Sequence, residues 1–208
     1  MHRTLIAAAL GLSALAAQAA TLVDTGEPNL SMASLAIDSV DWAADEVSFN
    51  TAVSIDSIKT YLQDDTYGET YTIALYKNLA GLPDTDAGAL YTSQATFTGS
   101  NGWLGLTGLN WQVGAGQYWI GIESRATDSM TYGSLPVPVA SGSGVIGSAF
   151  TPSIAGDYLV SNPAQYAFAL RITGTTPAVP EPTGIALLLA GLSLITWVAR
   201  RQADESDE

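Results

Sequence analysis

Residues 117–123 read QYWIGIE, and this stretch decides the fold class. Alternation places its tyrosine and two isoleucines on one side of an extended chain and its tryptophan on the other, which is the two-residue period of a β-strand. Residues 71–77 (YTIALYK) and 166–172 (YAFALRI) alternate in the same way. The sequence therefore predicts three half-buried strands, each with one face toward a core.

Turn-forming stretches rich in Gly, Asn and Pro separate these strands. They are residues 78–84 (NLAGLPD), 99–102 (GSNG) and 114–116 (GAG). No part of the body shows sustained helical periodicity with caps. We therefore predict an all-β chain that forms a single domain over residues 21–173, an antiparallel β-sandwich or a jelly-roll-like fold.

Two patterns interrupt this regularity. Between residues 53 and 62 the alternation changes phase after Ile55, which predicts a bulge or bend near Asp56-Ser57. Residues 134–163 are rich in Gly, Ser and Pro, and proline disfavours a central strand. That region is expected to form either a long surface loop or an irregular edge.

The N-terminus has the three parts of a secretory signal peptide. A short basic region precedes an apolar run, and small residues allow cleavage after Ala19 or Ala20. We therefore predict a signal helix within residues 1–20 and export through the Sec translocon. An uncleaved anchor helix is the alternative, but the apolar run is short and small residues follow it.

Removal of the signal peptide limits the chemistry that remains. His2 is the only histidine, and the chain has no cysteine. Zinc sites built on histidine or thiolate, Ser-His-Asp triads, cysteine nucleophiles and disulfides are excluded from the mature chain. The formal net charge of −13 argues against nucleic acid as a partner, because phosphate binding needs Lys and Arg. A soluble acidic surface explains the charge most simply, and divalent cation binding is the alternative.

The C-terminal stretch combines a proline motif, an apolar run and a basic pair. The motif is Val179-Pro180-Glu181-Pro182, and Arg200-Arg201 closes the apolar run. Proline biases the preceding residue away from helix, so residues 174–182 are expected to form an extended linker. We predict a hydrophobic transmembrane helix over residues 183–199. Residues 200–208 would be a cytoplasmic tail, as the positive-inside rule requires for an exported N-terminus.

This arrangement resembles the PEP-CTERM sorting signal of exopolysaccharide-producing Gram-negative bacteria. The resemblance implies transient retention in the inner membrane, then recognition and removal of the segment by an exosortase-type enzyme. It also implies delivery to the cell surface or extracellular matrix. The tail departs from the family pattern, because residues 202–208 continue beyond the arginines. A plain anchor that is never cut is the alternative.

A second, more diffuse set of motifs lies between Val53 and Glu123. In order, these motifs read YTIALYKN, GLPDT, GALYTS and GWLGLTGLNWQVGAGQYWIGIES. A strand ending in Leu-Tyr precedes a Gly/Pro loop, and a Gly-x-Tyr-Trp strand comes later. This order resembles the secreted bacterial β-sandwich domains grouped as choice-of-anchor domains. The resemblance implies a β-sandwich and supplies no catalytic residues.

Candidate ligand residues in the body are Trp103, Trp111 and Trp119. Exposed aromatic rings stack on sugars, although core packing is the commoner role of each tryptophan in a sandwich. Asp84 and Asp86 begin a pattern like a calcium loop, but the remaining ligands of that loop are missing. They are weak candidates for structural calcium, and no other metal or cofactor is expected.

Taken together, the residues and the resemblance predict an exported, non-catalytic surface or matrix protein. It would be associated with exopolysaccharide in a structural or adhesive role. The first alternative is a carbohydrate-binding module with a defined glycan ligand. A glycan-active enzyme is the next, because paired carboxylates can hydrolyse glycosides. We predict no enzyme, since a chain this acidic offers carboxylate pairs by number alone.

Overall fold

The computed structural model describes residues 19–31, 33–63, 67–137, 145–150, 157–176 and 188–197. Within its first compact unit, Met1–Thr176, these residues form thirteen strands and one short helix. In chain order they are β1 (Ala20–Asp24), β2 (Ser34–Ile37), β3 (Ala43–Phe49), β4 (Val53–Leu62), β5 (Thr70–Leu79), β6 (Leu82–Pro83), β7 (Tyr91–Thr96), β8 (Gly102–Val113), β9 (Gly116–Glu123), β10 (Gly133–Pro136), β11 (Val145–Phe150), β12 (Leu159–Ser161), α1 (Pro163–Tyr166) and β13 (Leu170–Thr175).

The strands form two main sheets and a small ribbon. The four-stranded sheet has the order β1-β13-β4-β8, and the ribbon pairs β10 with β2. The seven-stranded sheet has the order β12-β11-β3-β9-β5-β6, and β7 pairs with β5 beside β6. All of these pairings are antiparallel. The prediction of an all-β, sandwich-like antiparallel domain is confirmed.

The main core lies between the inner faces of the two large sheets. Alternate residues of each strand point inward, and burial of their apolar surface supplies the main stabilising free energy. The seven-stranded sheet contributes Val47, Ile73, Leu75, Ile120 and Ile122, and the four-stranded sheet contributes Val23, Ile55, Ile58, Leu170 and Ile172.

The two strands predicted from QYWIGIE and YTIALYK are present as β9 and β5, but they are not half-buried. Both lie inside the seven-stranded sheet and are buried on both faces over most of their length. The reason is a second buried cluster on the outer face of that sheet. Its members are Ala44, Ala74, Tyr76, Trp119, Ala149 and Tyr158.

The third strand was predicted over residues 166–172, and this prediction was wrong for its first residues. Tyr166 ends the helical turn α1, and β13 begins only at Leu170. Between them, the backbone N–H of Phe168 donates to Asp45 Oδ2 at 2.9 Å instead of joining a strand ladder. A buried side chain therefore satisfies this backbone donor, and the alternation of residues 166–169 reflects burial in a non-strand segment.

The predicted bulge near Asp56 is confirmed. Thr173 of β13 pairs with Ser57, and the next residue, Gly174, pairs with Ile55, so Asp56 is the extra residue. On the other side of β4, residues 108–110 of β8 form a larger irregularity opposite the same point. Gly108 and Asn110 have positive φ angles of 70° and 54° there, a conformation these two residue types tolerate best.

The described parts of the Gly/Ser/Pro-rich region over residues 134–163 are not all loop or edge. The region includes most of β10, which ends at Pro136 in the two-stranded ribbon, and β12, which is an edge strand. The prediction was wrong for β11, which lies between β12 and β3 inside the seven-stranded sheet. Small residues of β11 make this packing close. A methyl group at Gly147 would approach Glu46 Oε2 to 2.6 Å.

The second compact unit is Pro177–Glu208. Residues 188–197 of this unit are helical, and all of them are exposed. They are the central part of the helix predicted over 183–199, whose two ends lie outside the described residues. In the stretches the structure describes, none of the helices has the length and apolar character needed to cross a membrane.

Two sets of predicted residues also fall outside the described ranges. They are the signal peptide up to residue 18 and the sorting-signal residues Val179, Pro180, Glu181, Pro182, Arg200 and Arg201. At the predicted cleavage point, Ala19 and Ala20 are exposed, and Ala20 pairs with Gly174 as the first residue of β1. Cleavage after Ala19 would leave this strand whole.

Candidate functional site

A row of small residues crosses the outer face of the seven-stranded sheet. Ala149, Ala44, Gly121 and Ala74 are cross-strand neighbours on β11, β3, β9 and β5. Their small side chains leave room above the sheet for the ring of Tyr158. A methyl group on Gly121 would approach the Tyr158 hydroxyl to 2.9 Å. The glycine is therefore required by the close approach of this tyrosine.

A buried carboxylate, Glu123, organises the polar groups around this row. Its Oε1 accepts hydrogen bonds from the hydroxyls of Tyr76 and Tyr158, each at 2.8 Å. Its Oε2 lies 2.6 Å from Nε of Arg125, and Arg125 Nη2 donates to the Tyr76 hydroxyl at 2.8 Å. Every buried oxygen of this network thus has a partner, as a buried charge requires.

The network fixes the protonation of Tyr76, Tyr158 and Arg125. Burial raises the pKa of Tyr76 and Tyr158, and the adjacent Glu123 charge raises both further. Burial lowers the pKa of the Arg125 guanidinium, but the charges and hydrogen bonds of Glu123 and Tyr76 together outweigh this effect, and the net shift is upward. The tyrosines therefore remain hydrogen-bond donors, and Arg125 remains a cation. None of these groups is activated as a nucleophile or a base.

Arg125 connects this buried network to a depression on the surface. The depression has a volume of about 210 Å³. The Arg125 side chain is 32% exposed, while that of Glu123 is fully buried. The described residues that line it are all polar: Thr72, Thr92, Ser93, Gln94, Arg125 and Thr127.

Asp128 holds the wall of the depression in place. Its Oδ2 accepts from Thr72 Oγ1 at 2.7 Å and from the backbone N–H of Arg125 at 2.8 Å. Its Oδ1 accepts from Gln94 Nε2 at 2.9 Å. One carboxylate therefore ties three lining residues together, and this fixes the polar groups without a ligand.

A second buried carboxyl group, Asp45, lies on the inner side of β3. It accepts from the Ser148 hydroxyl at 2.5 Å and from the Phe168 N–H at 2.9 Å. Burial raises its pKa well above the ordinary range of an aspartate. Unlike Glu123, Asp45 forms no ion pair with the described residues. Its contacts join β3, β11 and the segment between α1 and β13, which is a structural role.

The structure separates the three tryptophan candidates. Trp119 is 1% exposed in the outer cluster, and Trp111 is 7% exposed and stacks on Tyr91 with centroids 5.2 Å apart. Neither can offer a ring face to a sugar, because each face is covered by protein. Trp103 is partly exposed, but Arg171 lies over its ring, with Cζ 3.8 Å from the centroid. Its indole N–H donates to Glu27 at 2.9 Å.

The two calcium candidates do not form a site in the structure. Asp84 accepts from the backbone N–H of Ala87 at 3.1 Å and so stabilises its own turn, while Asp86 is exposed. Across the ranges described above, no three His, Cys, Asp or Glu side chains come together in a way that could hold a metal ion.

The sequence reasoning missed the Glu123–Arg125 network and the depression. One signal was available: Glu123 has the same phase as Trp119 on a strongly apolar strand, and a rare base follows two residues later. Nothing in the sequence indicated that Tyr76, Gln94 and Tyr158 approach this point. Their positions depend on the pairing of β5 with β7 and β9 and on the path of the chain after residue 156.

No known protein-family model matches the chain, and no curated protein matches it in sequence. Among solved structures, it is similar to the cysteine protease and lectin-like domains of Cwp84, a surface layer associated protein of Clostridium difficile. The TM-score is 0.45 at 14% identity, covering 73% of this chain and 37% of that one. The chain thus spans well under half the length of that neighbour. A likeness at this level carries no argument about what the chain binds or does.

Proposed function

We propose that the protein is an exported, non-catalytic surface or matrix protein, sorted through a PEP-CTERM signal and associated with exopolysaccharide. The observation that carries this proposal is the order of the sequence after the β-sandwich. Pro180-Glu181-Pro182, an apolar run and Arg200-Arg201 follow one another there. A chain with a predicted export signal and this C-terminal order has a delivery route at both ends.

The fold supports a body that is separate from the C-terminal sorting segment. The last described strand, β13, ends at Thr175, and the first compact unit ends at Thr176. The described strands therefore do not include the motif, and its removal would leave their pairings intact. The proposal includes two partners, the Sec translocon and an exosortase-type enzyme. It also includes a transient stay in the inner membrane. Cleavage would release the hydrophobic segment, as in other removable C-terminal signals.

The described network around Glu123 has the contacts of a structural cluster. Glu123 is held by three donors, and the pKa shifts of Tyr76, Tyr158 and Arg125 are all upward. A nucleophilic or basic group would need a pKa near the working pH. A structural or adhesive role in the matrix needs only a stable acidic body.

The test is the mass of the mature protein isolated from its host. We expect surface-delivered protein to lack the sequence after the Pro-Glu-Pro motif, Arg200-Arg201 included. Glu181→Ala should block processing and leave the protein in the membrane fraction. Pro177→Ala is the matched control, because it changes a linker proline outside the motif and should be processed normally. An intact arginine pair in surface-delivered protein would contradict the proposal.

A further inference from the structure

The surface depression on the seven-stranded sheet is a built site that the sorting signal does not explain. It lies where β5 meets its neighbour β7, and it includes residues of the segment after β9. Its volume of about 210 Å³ lies below the roughly 300–1,000 Å³ of sites for drug-sized ligands. A ligand of the size of one sugar ring therefore fits it better than a large cofactor does.

The lining keeps both donors and acceptors available. Arg125 uses Nε and Nη2 in its contacts with Glu123 and Tyr76, so Nη1 keeps its donors for the depression. Gln94 uses only its nitrogen, in bonds to Asp128 and the Thr127 carbonyl, so its oxygen can accept. The hydroxyls of Thr92 and Thr127 can do either. Such a mixture matches adjacent hydroxyl groups, each of which donates and accepts.

The local charge favours a neutral ligand over an acidic one. Arg125 is the only base among the described residues that line the depression, and Glu123 neutralises it at 2.6 Å. Asp128 then leaves an excess of negative charge next to the lining, in a chain whose formal net charge is −13. A carboxylated or sulfated sugar would meet this repulsion. A divalent cation is also disfavoured, because donors already occupy both oxygens of Asp128.

We propose that this depression binds one neutral sugar unit, a hexopyranose, through its hydroxyl groups. Arg125 Nη1 donates to one hydroxyl, the Gln94 oxygen accepts from a neighbouring one, and Thr92 and Thr127 complete the set. The site deepens the proposed association with exopolysaccharide, and it rests on that proposal for the biological source of the sugar. It uses none of the three tryptophans, so sugar recognition here is polar.

The test is ligand-detected saturation-transfer NMR and calorimetry on the full chain, held in a detergent without a sugar headgroup. The probes are the methyl glycosides of glucose, galactose and mannose, together with glucuronate and galacturonate. We expect at least one neutral glycoside to bind in the millimolar range and more tightly than either uronate. The double variant Thr92→Val, Gln94→Leu should weaken that binding about tenfold, as the loss of one or two hydrogen bonds predicts.

Thr96→Val is the matched control. Thr96 lies on β7 with the same facing as Thr92 and Gln94, is exposed, and does not line the depression. It should bind the glycoside as the parent chain does, and all variants should keep the parent's circular dichroism at the temperature of the binding measurement. The proposal is overturned if no neutral glycoside binds, if the double variant binds unchanged, or if a uronate binds best. None of these results affects the mass measurement of C-terminal processing, so the two proposals fail separately.

Discussion

Beside the four-stranded sheet, Glu27 accepts hydrogen bonds from Trp103 and Arg171 while its side chain is 65% exposed. On the seven-stranded sheet, Glu123 accepts from two tyrosines and Arg125 with no exposure at all. Each carboxylate thus joins aromatic residues to an arginine. Water competes with the first set of bonds and is excluded from the second. Removing one partner is therefore expected to cost little on the exposed face and much on the buried one, where the remaining charge would be left unpaired.

Substitution of one tryptophan on each face tests the difference between the faces most directly. Trp119→Ala should lower the free energy of unfolding by about 3–5 kcal/mol, because it empties a buried site in the outer cluster. Trp103→Ala should lower it by about 1 kcal/mol, since the ring keeps a solvent face and its contact with Arg171 is partly exposed. Urea denaturation followed by circular dichroism measures both. Equal losses would show that the two faces are packed alike.

Glu123 and Glu27 give the next largest difference in the free energy of unfolding. Glu123→Gln should lower the free energy of unfolding by about 2–3 kcal/mol, because Arg125 loses its counter-charge and one oxygen becomes a donor. Glu27→Gln makes the same chemical change at an exposed site, and its effect should stay within about 0.5 kcal/mol. The two variants can be compared in the same denaturation series. A loss at Glu27 as large as that at Glu123 would refute the role we give to burial.

Alkaline pH tests the protonation of the seven-stranded face. The pKa values of Tyr76 and Tyr158 are raised in the folded state, whereas unfolded tyrosines lose their protons near pH 10. The folded protein then holds more protons than the unfolded chain. Above about pH 10 the free energy of unfolding should fall by up to about 1.4 kcal/mol per pH unit for each tyrosine.

The variants Tyr76→Phe and Tyr158→Phe provide the control for this slope. Each should remove one tyrosine's share of it, while Tyr67→Phe, at an 80% exposed tyrosine, should leave it unchanged. Stability measured between pH 9 and 11, on either side of the ordinary tyrosine pKa, gives the slope. A parent chain whose stability does not change over this range would contradict the buried phenol network.

The smallest effect is expected on the four-stranded face in acid. A hydrogen bond from the Gly26 N–H and the adjacent Arg171 lower the pKa of Asp24. This carboxylate therefore stabilises the fold above about pH 4, and the contribution is lost as pH falls through its lowered pKa. Because Asp24 is 42% exposed, solvent screening limits the contribution to about 0.5 kcal/mol or less. Comparing Asp24→Asn with the parent at neutral and acid pH measures it.

The sequence predicted the fold where local patterns are decisive. The two-residue alternation located β5 and β9, and the change of phase in β4 located the bulge at Asp56. It failed at residues 166–169, because a distant carboxyl group, Asp45, takes the backbone N–H of Phe168. Local patterns carry no information about such a partner, which lies more than a hundred residues away in the chain.

The candidate site could not be predicted from the sequence for the same reason. Alternation places Glu123 opposite the inward-facing isoleucines of β9 and does not say that Tyr158 covers it. The sequence offered three tryptophans as candidates for sugar binding while favouring core packing for each, and the fold uses Trp111 and Trp119 for packing. The depression is made of threonine, serine, glutamine and one arginine, residue types that usually lie on solvated surfaces. Only the placement of Asp128 between them distinguishes it from ordinary surface.

The extra residue at Asp56 shifts the alternation of inward and outward side chains within β4. Ile55 and Ile58 both point inward across it, although strict alternation over three residues would place them on opposite faces. A chain lacking Asp56 would run as an uninterrupted strand with its core residues still inward. A chain lacking Lys59 would turn either the residues before it or those after it to the wrong face. A deletion of one residue at Asp56 therefore keeps the core side chains of β4 on the inner face of the sheet.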